Sequence, residues 1–153
     1  MTLDRTQLAL DARMMEAALQ EARQAMDQNE IPIGAVVAKD GKIVGRGHNM
    51  TEALGDVTAH AEMIAITSAA NTLGGKYLPD CTLYVTVEPC MMCAGAIGWS
   101  QIGRIVYGAP DDKRGYRSFT PIRPPFHPRA QVIGGLMADE CAALMRQFFA
   151  SRR

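Results

Sequence analysis

The six residues Thr82–Val87 constrain the fold more than any other stretch of this chain. Their β-branched and aromatic side chains, with Gly74, Gly75 and Pro79 breaking the chain before them and Pro89 following, read as a central strand. Helical patterns lie on both sides of it. Met15, Leu19, Ala22 and Met26 recur at helical spacing, giving an amphipathic helix over about 11–28 that must end before Pro32. Strands at 33–39 and 42–47 flank Asp40-Gly41, a strong hairpin signal. Thr58 is expected to cap a helix over about 59–71, and Pro89 suits the first turn of another reaching about Ser100. Strands at 104–107 and 131–133 and a last helix over 139–149 complete the order α-β-β-α-β-α-β-β-α. Helices between the later strands imply parallel crossovers, and the hairpin supplies an antiparallel pair. The expected fold is therefore α/β, a three-layer α/β/α sandwich on a five-stranded mixed sheet.

At 153 residues the chain suits one domain spanning 1–153. With 48% hydrophobic and 21% charged residues, neither a disordered nor a collagen-like chain fits. The longest stretch of apolar residues, Gly and Pro covers only 89–99, far short of the ~20 residues that cross a bilayer. The first twenty residues carry Asp4, Asp11 and Glu16 and no apolar core of a signal peptide, so the expectation is a soluble, cytoplasmic protein without a membrane partner. Charge is balanced overall but divided along the chain. Residues 1–112 hold 8 basic and 14 acidic side chains, whereas 113–153 hold 8 basic and 2 acidic. Lys113, Arg114, Arg117, Arg123 and Arg129 are interleaved with Tyr116, Phe119 and Phe126, a pattern that suits a polyanion or a solvated loop.

Chemistry concentrates at two expected helix starts, Thr58-Ala59-His60-Ala61-Glu62 and Glu88-Pro89-Cys90-Met91-Met92-Cys93. Cysteines at i and i+3 in a first helical turn point the same way, and the helix dipole favours their thiolates. With His60 as a third ligand they would hold Zn2+ with its fourth position free for water, the open coordination of a catalytic rather than a structural site. Glu62, two residues after His60, could then serve as the general base. A redox Cys-x-x-Cys is the competing reading, but it leaves His60 and Glu62 unexplained. Cys81 and Cys141 are expected to be buried small hydrophobes, His48 and His127 surface or supporting residues, and Glu88 a cap or orienter of its turn. Met91, Met92 and Trp99 are expected in packing. No nucleotide-binding glycine fingerprint, phosphate loop or Gly-x-Ser-x-Gly elbow is present.

His60-Ala61-Glu62 followed by Pro89-Cys90-Met91-Met92-Cys93 resembles the H-x-E…P-C-x-x-C signature of the zinc nucleobase deaminases, which have the cytidine deaminase-like fold. Over about 13–153 the chain is most similar to the bacterial tRNA adenosine deaminases, notably in Glu30–Val36, Thr82–Ala96 and Ala138–Leu144. The resemblance implies His60, Cys90 and Cys93 as zinc ligands and Glu62 as proton shuttle. Asn49 would hold the purine ring, with the Ala61 N–H near its reacting edge. Phe148, Phe149, Arg152 and Arg153 would approach a tRNA anticodon loop. It further implies a homodimer acting on the wobble adenosine of an arginine tRNA. The stretch 118–129 departs from the family by being Arg- and Pro-rich, and Gly95-Ala96-Ile97-Gly98-Trp99 is similar to free guanine and cytosine deaminases, so a deaminase of a free base or nucleoside is the alternative.

Overall fold

The structure is a computed structural model that describes residues 4–152. Helix α1 spans Arg5–Asp27, and strands β1 (Gly34–Lys39) and β2 (Lys42–His48) form the hairpin. A short α2 (Thr51–Leu54) and the longer α3 (Ala61–Leu73) lead to β3 (Thr82–Val87). Then follow α4 (Met91–Trp99), β4 (Arg104–Ala109), a short α5 (Tyr116–Phe119), β5 (Gln131–Gly134) and α6 (Ala138–Ala150). The five strands lie in the order β2-β1-β3-β4-β5. β1 is antiparallel to β2 and β3, while β3, β4 and β5 run parallel. The mixed sheet expected from the sequence is thus present, with Thr82–Val87 at its centre.

Alternation along the strands divides the core into two layers. Ala35, Val37, Leu83, Val85 and Ile105 face α3 and α4, burying Ala61, Ala65, Ala94 and Ile97. Val36, Tyr84 and Val106 face α1 and α6, against Met15, Ala18, Leu19 and Cys141. Cys81 and Cys141 are buried, as expected. β2 carries Gly45 and Gly47 where α3 crosses it. A methyl group on Gly47 would run into the Ala61 carbonyl, so the missing side chain lets α3 lie directly on the strand and fixes where its N-terminus points.

Three expectations about helix ends are corrected. α1 begins at Arg5, capped by the Asp4 side chain accepting from the Thr6 N–H (3.0 Å), six residues before the apolar pattern becomes regular. Its first turns bury little, so periodicity could not reveal them. The cap of α3 is His60, not Thr58, whose hydroxyl instead donates to Asp56 (2.7 Å). Pro89 lies outside α4, which starts at Met91 with Cys90 at the cap position. The Pro89 carbonyl accepts from the Tyr116 N–H (2.9 Å) and Cys90 bridges to Gly115, so this pair is committed to another segment before the helix begins.

Under α1, the buried Asp11 accepts both Arg104 guanidinium nitrogens (2.7 and 2.6 Å) and the Tyr84 hydroxyl (2.6 Å). Burial alone would raise its pKa, but the bonds from Arg104, Tyr84 and Gln7 prevail and hold the carboxyl below its ordinary value. Removing one partner of such a pair leaves an uncompensated charge, so Asp11→Asn is expected to cost about 3–5 kcal/mol in urea unfolding at pH 7. A depressed carboxyl stabilises the fold above its unfolded pKa and ceases to do so as pH falls through the folded value. The gap between wild type and Asp11→Asn should therefore be constant from about pH 5 to 7 and close below about pH 4. A gap that persists at low pH would contradict the charge-based account.

Candidate active site

The caps of α3 and α4 meet at one end of the sheet. His60 at the α3 cap and Cys90 at the α4 cap both have extended backbones, which turn their side chains out of the helices towards each other. His60 Nδ1 lies 3.6 Å from Cys90 Sγ and 3.4 Å from Cys93 Sγ, and all three ligand atoms lie within 4.8 Å of one another. A tetrahedral zinc with ordinary Zn–N and Zn–S bonds has an N···S edge of about 3.5 Å. The donor set and its spacing therefore fit that ion. Cys93 and His60 beside it hold the Cys90 thiol down to about 4. The neighbouring Cys90 and burial push the Cys93 thiol up.

Glu62, at the second position of α3, is almost fully buried beside this trio, and burial pushes its carboxyl up to about 7. A cleft of about 700 Å³ opens over the group, lined by His60, Ala61, Glu62 and Cys90 and by Asn49 on one wall. Ala61 is the first residue of α3, so its N–H has no partner within the helix. Asn49 is buried, and among the described residues its Oδ1 is the one buried side-chain oxygen or nitrogen without a hydrogen bond. An orphaned acceptor on a cleft wall suits a ligand group that completes it. Together these groups can hold a soft divalent cation, move a proton and orient a polar ring.

Phe149 stands on the wall between this cleft and a second one lined by Asn29, Glu30, Thr51 and Arg152. Arg152 lies only in the second cleft; its guanidinium covers the Phe148 ring at 4.1 Å and donates to the Asn29 carbonyl (3.1 Å). Arg153 lies outside the described residues. His48 is a supporting residue, 3.1 Å from Glu21 and 3.2 Å from Gln28, and His127 accepts the Arg129 N–H.

Other expectations are revised here. Tyr116 and Phe126 are buried edge-to-face against each other, so they belong to the core and offer no surface for stacking bases. Of the basic segment, Lys113 and Arg114 reach the cleft, while Arg117 turns to the buried Glu88. Trp99 and Met91 do not pack within the chain, being 85% and 54% exposed, and Met92 packs only in part. α4 turns Cys93, Ala94 and Ile97 to the core, which leaves Met91, Met92 and Trp99 on its opposite face. Arg146 was not singled out from the sequence, yet it lines the cleft with Ala142, Met145 and Phe149. Their i, i+3, i+4, i+7 spacing is the signal that would have found it.

Comparison with known proteins agrees with this geometry. Residues 8–109 match the cytidine and deoxycytidylate deaminase zinc-binding region. The chain belongs to that family. This deaminase is 45% identical to the tRNA-specific adenosine deaminase of Agrobacterium fabrum over 151 residues, covering 95% of this chain and 98% of the relative. A solved structure from a study of A-to-I editing by tRNA:A34 deaminases at the tRNA wobble position superposes with a TM-score of 0.79 at 45% identity, covering 86% of this chain and 98% of the other. The guanine deaminase of Bacillus subtilis is 40% identical over a smaller region, 64% of this deaminase and 63% of the other chain, with a TM-score of 0.61.

Proposed function

We propose that this protein is a zinc-dependent hydrolytic deaminase converting adenosine to inosine at the wobble position of a tRNA, an arginine tRNA being the expected substrate. The observation that carries the reading is the cleft floor, where His60, Cys90 and Cys93 converge beside the buried Glu62 while Asn49 Oδ1 stands unpaired above them. The near full-length likeness to tRNA-specific adenosine deaminases supports the choice of substrate. The working unit is a single domain over 1–153, cytoplasmic and homodimeric. The exposed apolar face of α4 around Met91 and Trp99 suits self-association, and a 16.6 kDa species in light scattering at assay concentrations would remove the dimer from this reading.

His60 Nδ1, Cys90 Sγ and Cys93 Sγ would hold the zinc, which when bound supplies the Lewis acidity that makes water nucleophilic near neutral pH. Asn49 and the Ala61 N–H orient the purine so that its C6 edge faces the cleft floor. Glu62 accepts the proton that water loses on attacking C6 and passes it to ring N1. It next takes the remaining proton from the new C6 hydroxyl and relays it to the amino group; as the C6 carbonyl forms, the C6–N bond breaks and ammonia leaves, so adenosine plus water becomes inosine plus ammonia. The target base must leave its stack to reach this depth, and an anticodon loop presents splayed bases at small cost. Lys113, Arg114 and Arg146 on the cleft walls hold the flanking phosphates, with Phe149 beside the base.

A free-base or nucleoside deaminase is the second reading. It is favoured by the Arg- and Pro-rich stretch at 118–129 and by the identity shared with a guanine deaminase. Ammonia release from guanine, cytosine, adenosine and arginine tRNA transcripts, with inosine mapped on the RNA, separates the two. Turnover of the transcript alone, with affinity falling steeply as salt rises, is the expected result. Turnover of guanine or cytosine alone would overturn the RNA assignment.

A further inference from the structure

The buried Glu88 has no place in the chemistry above, yet its carboxylate is fully enclosed at the end of β3, beside the cleft. It accepts the backbone N–H groups of Asp111 (3.0 Å) and Arg117 (3.1 Å) and the Arg117 guanidinium (2.8 Å). These bonds clamp both ends of one turn. Inside it, Asp111 accepts the N–H groups of Lys113 (3.1 Å) and Arg114 (3.0 Å), and the Gly115 N–H returns to the Asp111 carbonyl (2.9 Å). Gly115 lies so close to Glu88 that any side chain there would collide with the carboxylate. The Lys113 and Arg114 side chains line the cleft and enter no ion pair among the described residues. Arg117 itself does not reach the cleft: its guanidinium is held by Glu88, lies 3.8 Å from Asp112 and covers the Tyr107 ring at 6.0 Å.

We propose that Arg117, through its pair with the buried Glu88, is a positioning residue that sets the 111–115 turn so that Lys113 and Arg114 form the phosphate-holding wall of the cleft. The inference rests on the proposed reading of those two cations as phosphate contacts. A buried carboxylate holding two backbone N–H groups and one guanidinium fixes the turn at both ends; without the guanidinium the far end keeps only backbone ties, the Arg117 N–H to Glu88, the Tyr116 N–H to Pro89 and the Cys90–Gly115 bridge, and loses its one charge-assisted side-chain bond. The cations would then sample orientations away from the cleft, and affinity would fall although no contact to RNA had been deleted.

The test uses the full chain carrying Glu62→Ala, so that RNA is bound but not consumed, and a synthetic anticodon stem-loop with adenosine at the wobble position. Glu88 keeps its two backbone N–H bonds in Arg117→Ala, so the variant is expected to fold with reduced stability and to keep its zinc. Its affinity for the stem-loop should fall about ten- to a hundredfold, and Arg117→Lys should restore part of the loss. Arg114→Ala should weaken binding when Arg117 is present and change it less than about twofold when Arg117 is already Ala. Fully additive losses would mean that Arg117 contacts RNA itself, and an unchanged affinity in Arg117→Ala would mean that the pair only braces the fold; either overturns the proposal. Amide hydrogen exchange gives a readout independent of substrate: the Asp111 and Arg117 amides should exchange about tenfold faster in Arg117→Ala while β3 and β4 are unaffected. If the parent protein fails to bind the stem-loop, the RNA reading fails; unchanged exchange overturns the clamp whatever the substrate.

Discussion

Glu62→Gln is expected to fold normally, retain zinc and lose deaminase activity by about 10²–10⁴-fold, the usual worth of a general acid–base group. The amide matches the carboxyl in shape but cannot take a proton from water and return it to the base. Its site is already apolar enough that burial pushes the Glu62 carboxyl up to about 7, so exchanging it for a neutral group should cost little stability. The loss should fall on kcat, because the residue acts between water, ring and leaving amine rather than on the resting base. Single-turnover kinetics alongside zinc analysis checks this. A variant that keeps its zinc and deaminates at the wild-type rate would remove Glu62 from the mechanism.

Cys90→Ala is expected to abolish zinc retention and with it all measurable activity. Three protein ligands form an open site, and losing a thiolate leaves one imidazole and one sulfur, too few to compete with water for the ion. Cys141→Ala is the control, since that thiol is buried on the opposite face of the sheet, in the layer under α1 and α6. It should lose stability but keep a full complement of zinc. Metal analysis after dialysis decides the matter: normal zinc in Cys90→Ala would refute the ligand assignment.

How much of this was legible beforehand depended on whether a residue's task left a pattern. Thr82–Val87 is found to the residue because a strand covered on both faces is built from an unbroken run of β-branched, aromatic and aliphatic side chains. The pairing of His60 with Cys90 and Cys93 could be read because metal chemistry restricts residue types and spacing, and the folded chain brings those three together. Where short-range signals were used alone they failed. Thr58 and Pro89 are good helix-start residues, but the first bonds Asp56 and the second gives its carbonyl to Tyr116, and neither partner is visible from local spacing. The four-residue helices α2 and α5 are too short to show a period. Tyr116 and Phe126 look like stacking platforms among arginines, whereas their burial is decided by a contact between segments ten residues apart. Trp99 shows the reverse: its apolar character suggests a core position, yet the fold leaves it 85% exposed.

The three candidate ligands come from chain segments thirty residues apart and are aimed by the starts of two helices already seated on a finished sheet. The ion therefore need not knit the polypeptide together, in contrast to small zinc modules that collapse only around their metal. Synthesis and loading can be separate events: an empty, native-like precursor can await its ion, and in a zinc-starved cell what would run short is turnover rather than protein.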